Sequence, residues 1–249
     1  MGIIDKPETK DCNQEKSIVG VTLAKVTNIE DPKNLGRVRC AFLTASEDAK
    51  ELDWAFVLSP FASKQSGLFF LPNVDDLVLV AFENGNIHRP YVLGSLWGSL
   101  SEAPVKISAG KNETYLIKTP NLSSIELGDK KGEETITVAT PKGRKVELND
   151  KEERISLSDG SNSLILDGKG GEVTIKCQNK LTIEVGSGNT ISIDGTAGTI
   201  KFNGTQAIDI EGTQINLKAT ATASIKGSAQ VSIQSDGVTA VKGSLLQLN

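Results

Sequence analysis

Histidine occurs once in this chain of 249 residues and cysteine three times. Cys12, Cys40 and Cys177 are odd in number, far apart and without a C-x-x-C pair. That pattern excludes a disulfide framework and offers no zinc-ligand spacing, so free thiols are expected. Basic residues are not in excess either: 27 Lys and Arg against 31 Asp and Glu leave a net charge of −4, which gives no electrostatic footprint for nucleic acid or an anionic membrane. No apolar run approaches eighteen residues, and the opening "MGIIDKPETK" lacks an apolar segment of signal-peptide length, so neither a membrane helix nor export is indicated. The expectation is synthesis and folding in the cytoplasm.

A second scarcity is local. Beyond position 120 only Phe202 and Pro141 remain of all the aromatic residues and prolines. The chain therefore divides into regions with different rules. Residues 1–16, "MGIIDKPETKDCNQEK", are polar without periodicity and read as a flexible arm. Residues 17–100 hold strand-length apolar runs between turn signals. These are "SIVGVTLAKV", then "RVRCAFL" with Val38, Cys40 and Phe42 on one face, "LDWAFVLSPF", "DLVLVAFENGN" ending at an Asn84-Gly85 turn, and "PYVLGSLWG". About five strands in this length without a helical period predict an all-β small barrel of the OB-fold type. Residues 101–121, which carry Pro104 and Pro120, read as a linker.

From 122 to 249 the text is a repeat. Short alternating segments recur at steps of roughly seven to nine residues: "RISLS", "LILDG", "EVTIKC", "LTIEV", "TISID", "TIKFN", "AIDIE", "QINLK", "ASIKG", "QVSIQ", "GVTAV" and "LLQLN", with Gly at most breaks. This is the pattern of a β-helix or β-prism. As one chain it would make roughly four coils about 19 Å tall with open edges. Three intertwined chains would give a rod on the order of 55 to 70 Å whose edges are paired by neighbours. The reading adopted is the intertwined trimeric needle. Its core would be Ile175, Ile183, Ile191, Ile193, Ile208, Ile210, Leu217, Ile225, Val231 and Ile233, with Ala219, Ala221 and Ala223 as a narrow stretch and Cys177 as a small core residue. Only 14 of the last 89 residues are charged, so the outside would be a neutral shaft of Ser, Thr, Asn and Gln suited to passing through something.

The first region also carries motifs in a fixed order: "DPKNLGRV", "WAFVLSPFA", "GLFFLPNV", "VLVAFENG" and "RPYVLGSLW". Over about residues 17–100 they resemble the barrel domain of contractile-tail spike proteins, the phage baseplate assembly protein V family and the VgrG proteins of type VI secretion. The resemblance implies a homotrimeric spike at the end of a tail tube, assembled in a bacterial baseplate, seated on a hub and driven through a target envelope. The family usually has Gly where Asp75 stands, so the turn there is expected to differ. Only sixteen residues precede the barrel, which implies a separate hub protein. The last residues have no metal-ligand set, so no cofactor or apical metal is expected. Leu245, Leu246 and Leu248 would form a blunt apolar end for a PAAR-like tip protein.

Competing readings attach to particular residues. Arg37, Arg39 and Trp54 could grip a nucleic-acid strand, or the arginines could meet acidic groups of another copy at an interface. Asp31, Asp75, Asp76 and Glu83 could supply a carboxylate pair to a polysaccharide depolymerase, or they are loop acids. His88 reads as a loop residue. The adopted expectation is a structural protein without catalytic residues and without nucleic-acid binding.

Overall fold

The computed structural model describes residues 18–43, 51–99 and 101–247; the arm read at 1–16 lies outside them. It is all-β, with one short 3-10 turn at Glu83–Gly85 among the described residues. The chain divides into two compact units, residues 1–175 and 176–249.

Strands β1 (Val21–Asn28), β2 (Arg37–Phe42), β3 (Ala55–Val57), β6 (Leu77–Phe82) and β7 (Pro90–Ser95) close into a barrel in the order β1-β2-β3-β7-β6. The β3 to β7 pairing is parallel; the pairings that carry β1, β2 and β6 are antiparallel. Period-two alternation sends Ala24, Val26, Val38, Cys40, Val78, Val80 and Val92 inward, where they have no solvent exposure. Closure removes sheet edges. Strand β6 is bonded on both sides, the position its run of apolar residues called for. The segment "LDWAFVLSPF" makes only the three-residue β3. After Pro60 the chain turns into a two-rung hairpin of β4 (Ala62–Ser63) and β5 (Ser66–Gly67). It is tight: a Cβ at Gly67 would lie 2.5 Å from the Phe61 carbonyl oxygen, and the Ser59 hydroxyl ties back to the Leu68 carbonyl at 2.8 Å.

Seven further strands form an antiparallel meander in chain order. They are β8 (Thr114–Lys118), β9 (Ser124–Gly128), β10 (Thr135–Ala139), β11 (Lys145–Asn149), β12 (Arg154–Ser158), β13 (Ser163–Asp167) and β14 (Glu172–Lys176). A separate three-stranded antiparallel sheet follows, β15 (Lys180–Val185), β16 (Asn189–Asp194) and β17 (Thr199–Asn203). One expectation is corrected here: strand β8 lies inside the stretch read as a linker, because Pro120 falls in the turn after it and not in the strand. Within the single chain, β8 to β14 and, separately, β15 to β17 pair with their sequence neighbours as hairpins; an Asx-rich or Gly-containing turn between two alternating runs brings them together locally. After Asn203 no strand is assigned among the described residues, although "AIDIE", "QINLK", "ASIKG", "QVSIQ" and "GVTAV" alternate as the earlier segments do.

Candidate functional site

Each meander strand puts two apolar side chains on one face. Paired register stacks them into two columns: Tyr115, Leu127, Ile136, Leu148, Ile155 and Leu166 in one, Ile117, Ile125, Val138, Val146, Leu157 and Leu164 in the other. Val173 and Ile175 continue the pattern on β14. The opposite face carries Thr135, Thr137, Glu147, Arg154, Ser156 and Ser158, with Lys145 paired to Glu147. In a sheet that packed on its own chain the aliphatic face would be covered. Here it is open: Ile155 and Leu157 keep 46% and 54% of their surface exposed, while the polar residues between them are partly shielded. Burying each such side chain is worth about 1.5–3 kcal/mol, and a contiguous apolar surface of this kind marks an interaction site.

The smaller sheet repeats the arrangement. Leu181, Ile193 and Ile200 form one row and Ile183, Ile191 and Phe202 the other. Of the residues read as a trimer core, Ile175, Ile183, Ile191 and Ile193 therefore lie on apolar sheet faces, all exposed in the single chain. Ile208, Ile210, Leu217, Ile225, Val231 and Ile233 lie in the strandless tail, also exposed. Leu245 and Leu246 are exposed near the end; Leu248 is outside the described residues. Cys177, read as a core residue, is an exposed thiol just past β14. The eight apolar residues from Tyr115 to Leu148 were missed by sequence reasoning. Their signal was the alternation in "TYLIK", "SIELG", "TITVA" and "KVELN", masked by the prolines between.

On the barrel, the two arginines of β2 find their acids within the chain, although the buried Arg39 Nε has no hydrogen-bond partner among the described residues. Arg37 donates to both carboxylate oxygens of Asp31, at 2.9 and 2.6 Å, with the acid side chain only 3% exposed. Asp31 also accepts the backbone N–H groups of Lys33 and Leu35. The Arg37 guanidinium and these amides hold its carboxyl far below the usual carboxylate range. Arg39 pairs with Glu51 at 2.6 Å, and both guanidinium groups lie over Trp54, at 5.8 and 5.4 Å. The expectation that these arginines meet acids of another copy is thus corrected: their acids come from the turn and loop flanking β2. A shallow cleft of about 450 Å³ beside them is lined by Trp54, Phe56, Tyr91, His88 and Arg89 among others. Its polar groups are engaged too, His88 with Asp53 at 2.7 Å and Arg89 with Glu83 at 3.0 Å. The four acids weighed as a catalytic pair go to different partners: Asp31 to Arg37, Asp75 to Lys25 at 2.6 Å, Asp76 to the Asn73 N–H at 2.8 Å, Glu83 to Arg89. Burial, with a smaller push from Glu51, raises the Cys40 thiol to about 11, which keeps it protonated and unreactive.

With the barrel and its neighbouring sheets in view, comparison with known proteins is specific for one part of the chain. Residues 22–97 match the family model described as the type VI secretion system/phage-baseplate injector OB domain. Those bounds enclose all five barrel strands but for the first residue of β1. No curated protein matches the chain.

Proposed function

We propose, from a barrel that matches the injector OB family and from open apolar sheets after it, that this chain is the central spike of a contractile injection machine. The match of its barrel to the injector OB domain supports a baseplate role. In the proposed role three copies associate through the aliphatic faces of their meanders, the barrels seat on a separate hub protein, and the C-terminal end carries a PAAR-like tip protein on Leu245, Leu246 and Leu248. Sheath contraction then drives the assembly into the target envelope. The role is mechanical and not catalytic.

The observation that carries this reading is the pair of aliphatic columns running across consecutive hairpins, exposed among the described residues. Three such sheets facing one axis make a three-sided core, and the polar faces outside make a neutral shaft. Axial load would then be shared by three hydrogen-bonded ladders. The ion pairs of Arg37 with Asp31, Arg39 with Glu51, Lys25 with Asp75 and Arg89 with Glu83 support the structural reading over a nucleic-acid-binding or depolymerase one, since these charges are already partnered in place.

Light scattering on the full-length chain tests the proposal. A mass near three times 26.4 kDa with an elongated hydrodynamic profile is expected. A compact monomer would overturn it.

A further inference from the structure

The meander has two long sides where its strands reverse, and their charges differ in sign. Because the strands alternate in direction and pair in chain order, the turns 119–123, 140–144 and 159–162 lie along one side. The turns 129–134, 150–153 and 168–171 lie along the other. Counted with the strand residues that flank each turn, the first side holds four bases, Lys118, Lys142, Arg144 and Lys145, against the single acid Asp159. The second holds eight acids against five bases.

Pairing within the chain sharpens this polarity. On the second side the lysines are used locally: Lys130 pairs with Glu133 at 2.9 Å, Lys151 with Glu133 at 3.1 Å, and Lys169 donates to the Lys151 carbonyl at 2.8 Å. Asp129, Asp150, Glu152 and Glu153 are exposed and have no ion pair among the described residues. On the first side Asp159 is held by the backbone N–H groups of Ser161 and Asn162 and by the Asn162 amide. Lys145 pairs with Glu147, while Lys118, Lys142 and Arg144 are exposed and form no ion pair among the described residues. The acidic side also borders the open aliphatic face: Asp129, Glu134 and Asp150 line a shallow hollow of about 370 Å³ together with Tyr115, Leu127, Ile136 and Leu148.

The heights of the turns alternate as well. Turns on one side are two strands apart, about 9.6 Å at the usual spacing, and those on the other side fall midway between them. A second sheet set beside the first at the same height therefore brings turn 140–144 opposite the gap between turns 129–134 and 150–153. When copies are related by rotation about an axis running along the sheets, one side of each meets the opposite side of the next, never its own kind. Sides of opposite sign suit that closure, and like sides brought together would repel.

We infer that the turn-bearing sides of the meander are a second contact surface between copies, the basic turn 140–144 of one docking between the acidic turns 129–134 and 150–153 of the next. This rests on the proposed association of the aliphatic faces and adds what those faces lack. Apolar columns that repeat at every strand fit again after a slip of two strands. The turns do not: such a slip exchanges the acid-rich turn 129–134 for 168–171, whose only charge is Lys169. Charge thus fixes the height at which the copies meet.

Sedimentation equilibrium on full-length chains tests this with one variant reversed on the basic side, Lys142→Glu with Arg144→Glu, one reversed on the acidic side, Asp129→Lys with Glu152→Lys, and one carrying all four changes. Each single-side variant should raise the concentration of half-dissociation at least about tenfold at about 50 mM salt, and by less at about 500 mM. The fourfold variant, whose sides are again opposite in sign, should return to within about threefold of the parent. Single-side variants that associate like the parent, or a fourfold variant no better than the weaker of them, overturn the inference. Zero-length carbodiimide coupling of the parent gives the answer even where a variant does not fold. Five-residue strands hold the two sides of one sheet about 15 Å apart, so an amide bond from Lys142 to Asp129, Asp150 or Glu152 can only join two copies. Such links are expected, and an oligomer that yields none overturns the inference. A rod without these links or charge effects would leave the spike proposal standing and sink this inference. A compact oligomer with them would do the reverse, and a stable monomer would overturn both.

Discussion

Asp75 shows what a single residue can cost. It sits at φ +77° in the turn before β6, where a side chain is disfavoured and Gly is not, and its carboxylate is held by Lys25 at an exposed site. Exposed pairs contribute little. Asp75→Gly is therefore expected to stabilise the barrel by about 0.5 kcal/mol in urea unfolding, the relief of strain outweighing the lost pair; a net loss would show the opposite balance. Asp31 behaves differently. Its carboxyl titrates lower in the folded barrel than in the unfolded chain because Arg37 and two backbone amides favour the anion. The stability it contributes is thus present above the unfolded carboxylate range, near ~4, and is lost as pH falls through the lower folded value. Asp31→Asn should lower the melting temperature at pH 7 and flatten the decline between about pH 4 and 2. An unchanged acid slope would show that other carboxylates dominate it.

At the scale of the element, the two faces of one strand make opposite predictions. Ile193 on β16 stands between Leu181 and Ile200 in an apolar row, while its neighbour Ser192 stands between Thr182 and Lys201 on the polar side. Ile193→Asp places one carboxylate per copy in the proposed shared core, where an unpaired charge costs several kcal/mol. It should abolish soluble oligomer in size-exclusion chromatography. Ser192→Asp should leave the oligomer intact, and equal behaviour of the two would remove the apolar faces as the association surface. The turns carry as much information as the strands: left-handed residues mark where the meander folds back, and their loss after Gly198 marks where it stops doing so.

For the whole molecule, the proposed self-association would tie stability to concentration. The unfolding midpoint of the sheets should rise with protein concentration, since only the associated state covers their apolar faces. A midpoint that does not move over a hundredfold range would mean that each chain is stable alone. The barrel, with its closed ladder and its own buried core of Val26, Val38, Val78, Val80 and Val92, should unfold as a separate, concentration-independent transition.

The sequence by itself determined the all-β class, the five barrel strands, the family of the barrel and the alternation of β12 to β17. All of these rest on local patterns: period-two burial, turn residues and motifs in fixed order. The family resemblance, from which a different turn at Asp75 was expected, supplied Gly as the usual residue at position 75; the positive φ found at Asp75 is a backbone conformation that Gly adopts without strain. What only the tertiary structure decided was pairing. Alternation says that Ile155 and Leu157 share a face, but not whether the neighbouring strand is the next in the chain or one from elsewhere, because both satisfy the same backbone donors. The same holds for Arg37, whose charge was visible in the sequence while its partner Asp31, brought back by the turn before β2, was not. Which acid reaches an arginine, and which strand completes a ladder, depend on where the chain folds back, and that is set by a few backbone angles that composition does not display.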